Sequence, residues 1–159
     1  MKASFSPFIN ENTHSLFLGT LPGEKSLAEQ RYYAHPQNKF WKLFYDVFDT
    51  ELISEYEGKV HYLQMKGFGL WDVIRQAHRE GSLDSAIKNK ELNDFKILLK
   101  QYPHIHTFYF TSQQAYQWYF KVYKDSLPVR LVVLASPSPA NARLRYEEKL
   151  ADWKAKINP

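Results

Sequence analysis

Apolar residues fall along this chain in short runs whose spacing switches between two kinds. His14-Ser15-Leu16-Phe17-Leu18-Gly19 is nearly continuous and stops at Gly and Pro, as a buried strand ending in a turn does. Thr107-Phe108-Tyr109-Phe110 and Val129-Arg130-Leu131-Val132-Val133-Leu134 read as two further strands. Elsewhere the spacing is helical. Phe40, Trp41, Leu43, Phe44, Val47 and Phe48 share one face of a helix expected over 38–48. Leu52, Ile53, Tyr56, Val60, Leu63 and Met65 predict a second helix ending near Gly67. Leu92, Phe95, Leu98 and Leu99 predict a third, over Glu91 to Tyr102, with Pro103 as its stop. Ser112 is placed to cap a helix over 113–124. Leu144, Tyr146, Leu150 and Trp153 mark the inner side of a last one, and Phe68 to Ile74 fits a short strand or a helix start.

Strands alternating with helices predict an α/β fold, a three-layer α/β/α sandwich around a short, mainly parallel sheet of four strands. The 159 residues suit one domain spanning 1–159. In such sheets the ligand crevice lies outside the carboxyl ends of the strands. That rule selects three connections: 19–38, 111–113 and 135–143.

Composition narrows the chemistry. There is no cysteine, so disulfides, thiolate catalysis, cysteine zinc sites and iron–sulfur clusters are excluded together. His104 and His106 alternate on a strand edge, but no third ligand accompanies them, and no metal site is expected. No apolar run approaches the roughly eighteen residues of a membrane span. Met1 to Pro7 holds a single Lys and no sustained apolar stretch, unlike a signal peptide, so the expected location is cytoplasmic. A net charge of +4 suits a nucleic-acid partner without requiring one. Aromatic residues make up 16% of the chain, most of them core, with a few free to stack on bases.

Three segments at those strand ends carry candidate chemistry. Gly19-Thr20-Leu21-Pro22-Gly23 can turn backbone amides into a pocket, although taken alone it is an ordinary turn. Tyr32-Tyr33-Ala34-His35-Pro36-Gln37-Asn38-Lys39-Phe40-Trp41 packs two Tyr, a His and an amide at a helix start into one loop, where Asn38 by itself could be no more than a cap. In Ser136-Pro137-Ser138-Pro139-Ala140-Asn141 two prolines stiffen an extended loop whose small residues allow close approach to another surface. Asp72 is the best carboxylate outside these segments, as a helix cap or an accessory polar group, with the cap the expected role.

In this order the three segments resemble the uracil-DNA glycosylase superfamily. The long middle block is similar to that of the mismatch-specific members, while Tyr-Tyr-Ala-His-Pro-Gln-Asn and Ser-Pro-Ala-Asn-Ala look more like the hypoxanthine-DNA (deoxyinosine) branch. The likeness covers residues from about 14 to 150. It implies a monofunctional enzyme that flips a deaminated base out of DNA and hydrolyses its N-glycosidic bond, as a monomer, with no cofactor. Excision of uracil from mismatches or single strands remains open, as do a non-catalytic binder of damaged DNA and a hydrolase of free nucleosides.

The resemblance also implies roles. Many members hold the attacking water with an Asp or Asn at the position of Leu21, which can do neither job; Asn38 is the substitute, positioning the water through its amide oxygen. Tyr33 matches the aromatic that stacks on the flipped base, and backbone amides near Thr20 and Leu21 would face the base edge. His35 would shape the pocket or contact a phosphate. Thr111 and Ser112, followed by Gln113, stand where relatives often carry a base-reading Asn. The loop Ser136, Pro137, Ser138, Pro139, Ala140, Asn141 would fill the gap in the duplex, with Ser136 where many relatives have His, and Arg143 and Arg145 would contact phosphates.

Overall fold

The computed structural model describes residues 2–157. Met1, Asn158 and Pro159, the ends of the domain expected over 1–159, lie outside the described residues. In chain order the elements are β1 (Lys2–Ala3), β2 (Ser15–Gly19), α1 (Glu24–Glu29), α2 (Phe40–Val47), α3 (Tyr56–Met65), β3 (Phe68–Asp72), β4 (Ile74–His78), β5 (Lys88–Leu92), α4 (Phe95–Gln101), β6 (Thr107–Phe110), α5 (Gln113–Tyr123), β7 (Arg130–Val133) and α6 (Tyr146–Lys156).

Four strands form a wholly parallel sheet in the order β3-β2-β6-β7. Its central strands are buried on both faces, which is why their sequences read as unbroken apolar runs rather than alternating ones. On one face Phe17, Tyr109, Phe68 and Leu70 pack with Phe40, Leu43 and Phe44 of α2, Val60 and Leu63 of α3, and Trp153 of α6. On the other face Leu16, Leu18, Phe108 and Phe110 pack with Phe95 and Leu98 of α4 and Ala115 and Tyr119 of α5. This is the α/β/α sandwich that the alternation of strands and helices predicts.

The register sets the level of the strand ends. Gly19 lies opposite Asp72, Leu18 opposite Phe110, and Phe110 opposite Val133. All four carboxyl ends therefore finish on one edge. The connections from β2 and from β6 leave in opposite directions across the sheet, so a crevice opens at that edge, where ligands bind in sheets of this kind.

Several elements differ from expectation. A second, antiparallel sheet, β1-β4-β5, flanks the first and was not anticipated. The buried apolar residues of this region are Ile74, Ala77 and Ile87, packed with Leu21, too sparse a pattern to announce strands. Glu91 and Leu92, expected in a helix, lie in β5, where Leu92 pairs with Ile74. The helix begins after Asp94, whose carboxylate accepts from Lys96 N at 3.0 Å and Ile97 N at 3.1 Å. The second helix starts only at Tyr56, and Met65, one of the apolar residues that predicted it, is 69% exposed. Leu144 sits exposed in the turn before α6. Ser112 does cap α5, accepting from Ala115 N at 3.1 Å.

Candidate active site

A cavity of about 700 Å³ opens at the carboxyl edge of the parallel sheet. That is ample for one base with part of its sugar. Its floor is Gly19 and Asp72 at the ends of β2 and β3, with Thr111 just beyond β6. A Cβ placed on Gly19 would meet Asp72 Oδ1 at 2.9 Å, Tyr33 Oη at 3.5 Å and Thr111 Oγ1 at 3.6 Å. Three polar groups from three segments thus converge over one residue that has no side chain.

The wall comes from the loop ahead of α2. Tyr33 adopts φ +56°, a backbone state that a bulky residue enters only at a cost of order 1 kcal/mol or more. Its ring stacks on Phe40 at 3.9 Å with an 8° tilt, so the core covers one face of the ring. Burial and the nearby Asp72 raise its hydroxyl's pKa, and Tyr33 stays uncharged. Asn38 lines the same cavity, half-buried, with Oδ1 accepting from Phe40 N at 2.9 Å. Asn38 therefore does not occupy the cap position, which is Lys39's, but holds the first N–H of α2 from the residue before it. Among the described residues its amide keeps a lone pair and both N–H groups for other partners. His35 is an exposed part of the rim, and its Nδ1 accepts from Gln37 N at 3.1 Å.

The turn from Gly19 to Gly23 is locked from below. Thr20 Oγ1 donates to Asp84 Oδ1 at 2.7 Å. The Arg79 side chain, 1% exposed, donates to Pro22 O and to Ser82 O and pairs with Asp84 at 3.8 Å. Leu21 turns its side chain into the small cluster with Ile74, Ala77 and Ile87. It anchors the turn by packing and offers no polar group. Arg79→Ala is expected to lower stability by about 2–3 kcal/mol, because two carbonyls lose their donor and Asp84 its cation. Chemical denaturation checks this, and Arg79→Lys should fall between the two.

The roof is the segment after β7. Ser136, Pro137, Ser138, Pro139, Ala140 and Asn141 all line the cavity. Pro137 O accepts from Lys39 N at 2.9 Å, tying the loop to α2. Ala135 O accepts from Trp153 Nε1 at 2.8 Å, and Ala135 N donates to Asp152 at 2.7 Å, tying it to α6. Pro139 and Ala140 form an exposed tip.

Most residues singled out by sequence meet on this cavity: Thr20, Leu21, Tyr33, His35, Asn38, Thr111, Ser112 and the 136–141 loop. Arg143 does not; it lies exposed in the turn beyond, and Arg145 is engaged with Glu148 at the start of α6. Asp72, expected to cap a helix, caps none; it ends β3 and is 4% exposed in the cavity floor, the place of an accessory polar group. Burial raises its carboxyl to about 7 against the opposing pull of Arg79, and Asp84 pushes the same way as burial. The β4–β5 connection adds Ser82, Leu83 and Asp84 to the rim. The only sequence signal for Asp72 was its place at the end of an apolar run, where the strand-end rule applies once that run is read as a strand.

Fold and cavity define an α/β protein with a pocket at the carboxyl edge of a parallel sheet, walled on one side by Tyr33. Over residues 6–159 the chain matches the family model described as the uracil DNA glycosylase superfamily. It is 35% identical over 143 residues, 89% of each chain, to a hypoxanthine DNA glycosylase of Methanosarcina barkeri. It is 34% identical over 156 residues to a hypoxanthine DNA glycosylase of Methanosarcina acetivorans, covering 98% of this chain and 97% of that one. A solution NMR structure from M. acetivorans, solved as a candidate uracil DNA glycosylase, superposes with a TM-score of 0.85 at 33% identity, covering 98% of this chain and 95% of that one. The chain belongs to the uracil DNA glycosylase superfamily.

Proposed function

We propose that this protein is a monofunctional DNA glycosylase that hydrolyses the N-glycosidic bond of deoxyinosine, releasing hypoxanthine. The observation that carries the reading is the gathering of Asn38, Tyr33 and the 136–141 loop on one base-sized cavity, in a chain 34–35% identical to two hypoxanthine DNA glycosylases.

The glycosidic carbon is out of reach inside a duplex, so the nucleotide must turn out of the stack. The rigid tip at Pro139 and Ala140 is shaped to occupy the gap left behind, held by its ties to α2 and α6. The flipped base lies on the face of Tyr33 that Phe40 leaves open, a contact worth roughly 1–3 kcal/mol. As the C1′–N bond breaks, the sugar gains positive charge and the base negative charge. Asn38 Oδ1, holding Phe40 N–H with one lone pair, orients water toward C1′ with the other. Water adds its oxygen to C1′, and its second proton is lost to solvent or to the departing base. These steps use water and side chains alone. On this reading the protein acts as a monomer, in the cytoplasm, on the cell's DNA.

Oligonucleotides carrying one deoxyinosine, deoxyuridine or deoxyxanthosine, followed by hot alkali to break abasic sites, test the assignment. Strand breakage at deoxyinosine is expected to be fastest. Breakage chiefly at deoxyuridine would move the chain to the uracil-excising reading, and none at any base would refute excision. Arg143, exposed beside the loop, is assigned to a phosphate. Arg143→Ala should weaken DNA binding about equally for all sequences and reduce the slope of log K against log salt by about 1. Fluorescence anisotropy over a salt series measures it.

A further inference from the structure

Helix α6 carries a cation that the steps above leave unused. Lys149 is 6% exposed, on the buried side of the helix with Trp153. Among the described residues its ammonium pairs with no carboxylate and makes one hydrogen bond, to Ser138 O at 3.4 Å. A charge withdrawn from water without a counter-charge is costly to a fold. Burial lowers the pKa of this ammonium, and the like charge of Lys39 lowers it further. Packing alone would favour an apolar residue at such a place.

What the ammonium holds is the tip of the loop. Ser138-Pro139-Ala140-Asn141 is a turn closed by Asn141 N donating to Ser138 O at 3.0 Å, with proline in the second place that such turns favour. Ser138 Oγ accepts from Ala140 N at 3.2 Å, and Asn141 Nδ2 donates to Ser136 O at 3.4 Å. These bonds stay within the loop. Among the described residues, the hydrogen bond from Lys149 is the one that joins residues 138–141 to the rest of the protein. Trp153, one turn further along α6, donates to Ala135 O at 2.8 Å. The helix thus offers two donors, four residues apart on one face, to the root and to the tip of the same loop.

Resting on the glycosylase reading, we propose that Lys149 is a positioning residue for duplex substrates: its ammonium fixes the turn 138–141 in the place from which the tip enters the gap left by the flipped nucleotide. Lys149 is not among the residues lining the cavity, so it acts on the base through the loop. A loosened tip fills the gap for a smaller fraction of the time, and the rate of excision falls with that fraction. A single strand has no paired partner and no gap to fill, so a loosened tip costs little there. The role therefore has a signature, a loss confined to paired DNA.

Lys149→Met keeps the buried stem and removes the ammonium. Because a buried, unpaired charge is lost, the variant should melt at or above the parent's temperature. Single-turnover excision at saturating protein, from deoxyinosine in a duplex and in the same strand unpaired, tests the assignment. Lys149→Met should lose about tenfold on the duplex and stay within about twofold of the parent on the single strand. In a duplex with 2-aminopurine beside deoxyinosine, fluorescence rises as the bases unstack, and the rise at saturation should be smaller for the variant. Pro139→Gly, which loosens the tip itself, should reproduce the duplex loss, and the double variant should lose no more than about twofold beyond either single one. Equal losses on both substrates, or an unchanged duplex rate, would overturn the proposal. So would an intact unstacking signal with the slope of log K against log salt reduced by about 1, which would make Lys149 a phosphate contact. Should the parent not cut single strands, the 2-aminopurine signal and the double variant decide. Should Lys149→Met not fold, Lys149→Gln takes the same measurements. A parent that excises hypoxanthine while failing this comparison loses only the role of Lys149. A parent inactive on every deaminated base loses the glycosylase reading, and this role with it.

Discussion

Asn38→Ala is expected to lower kcat for deoxyinosine excision by on the order of 10²–10³-fold, the usual effect of removing one polar contact made at the transition state. DNA affinity should stay close to the parent's, because the phosphate contacts and the loop tip are untouched. On the proposed reading the amide both orients water and holds the first N–H of α2. Asn38 Oδ1 accepts from Phe40 N, the first N–H of α2, at 2.9 Å, and losing that hydrogen bond costs about 1 kcal/mol of stability. That loss would not inactivate a folded enzyme at its working temperature, so a fall of two decades in kcat measures the water-orienting role. Asn38→Asp and Asn38→Ser restore an acceptor for Phe40 N–H. If they recover stability without recovering kcat, the amide's placement over C1′ matters beyond that hydrogen bond. Single-turnover rates beside thermal melts make the separation.

The largest expected loss of stability comes from Trp153→Ala, about 3–5 kcal/mol for emptying a large buried aromatic site. Small domains have only about 5–15 kcal/mol in total. Trp153 is fully buried, stacks on Phe17 at 5.8 Å and meets Phe40 edge-on at 5.6 Å. Phe40 in turn supports Tyr33. The indole N–H donates to Ala135 O at 2.8 Å, at the root of the 136–141 loop. One side chain therefore supports the core, the stacking wall and the loop. Trp153→Phe keeps most of the packing and removes the donor. It should cost about 1–2 kcal/mol and slow excision further by loosening the loop. Urea unfolding of the three proteins gives the energies.

How much of this could be read from the sequence follows from what each pattern reports. Runs such as Leu16-Phe17-Leu18 and Phe108-Tyr109-Phe110 are apolar on both sides because both faces of the sheet are covered, so the parallel core and its order of elements were legible. The β4–β5 region was not. Lys88-Asn89-Lys90-Glu91 are exposed and polar, and their strand is fixed by pairing with β4 rather than by any local period. The same gap hid part of the site. Arg79 and Asp84 lie on this connection, and only the tertiary fold brings them beneath Thr20 and Pro22. Asp72 was visible as a carboxylate but was read as a cap, because Phe68 to Ile74 fitted a strand or a helix equally well. Once that segment is β3, Asp72 falls opposite Gly19 by register and its place in the floor follows. Asn38, Tyr33 and the 136–141 loop lie on segments whose turns are set locally by Gly, Pro and a helix start, which is why motif and geometry agree there.

The most direct test of the central claim is identification of the product. The protein, in excess over a duplex with a single deoxyinosine, should release free hypoxanthine, detected by mass, and leave an unbroken strand with one abasic site. Bound DNA from which no base is released, with the deoxyinosine intact after prolonged incubation, would contradict it.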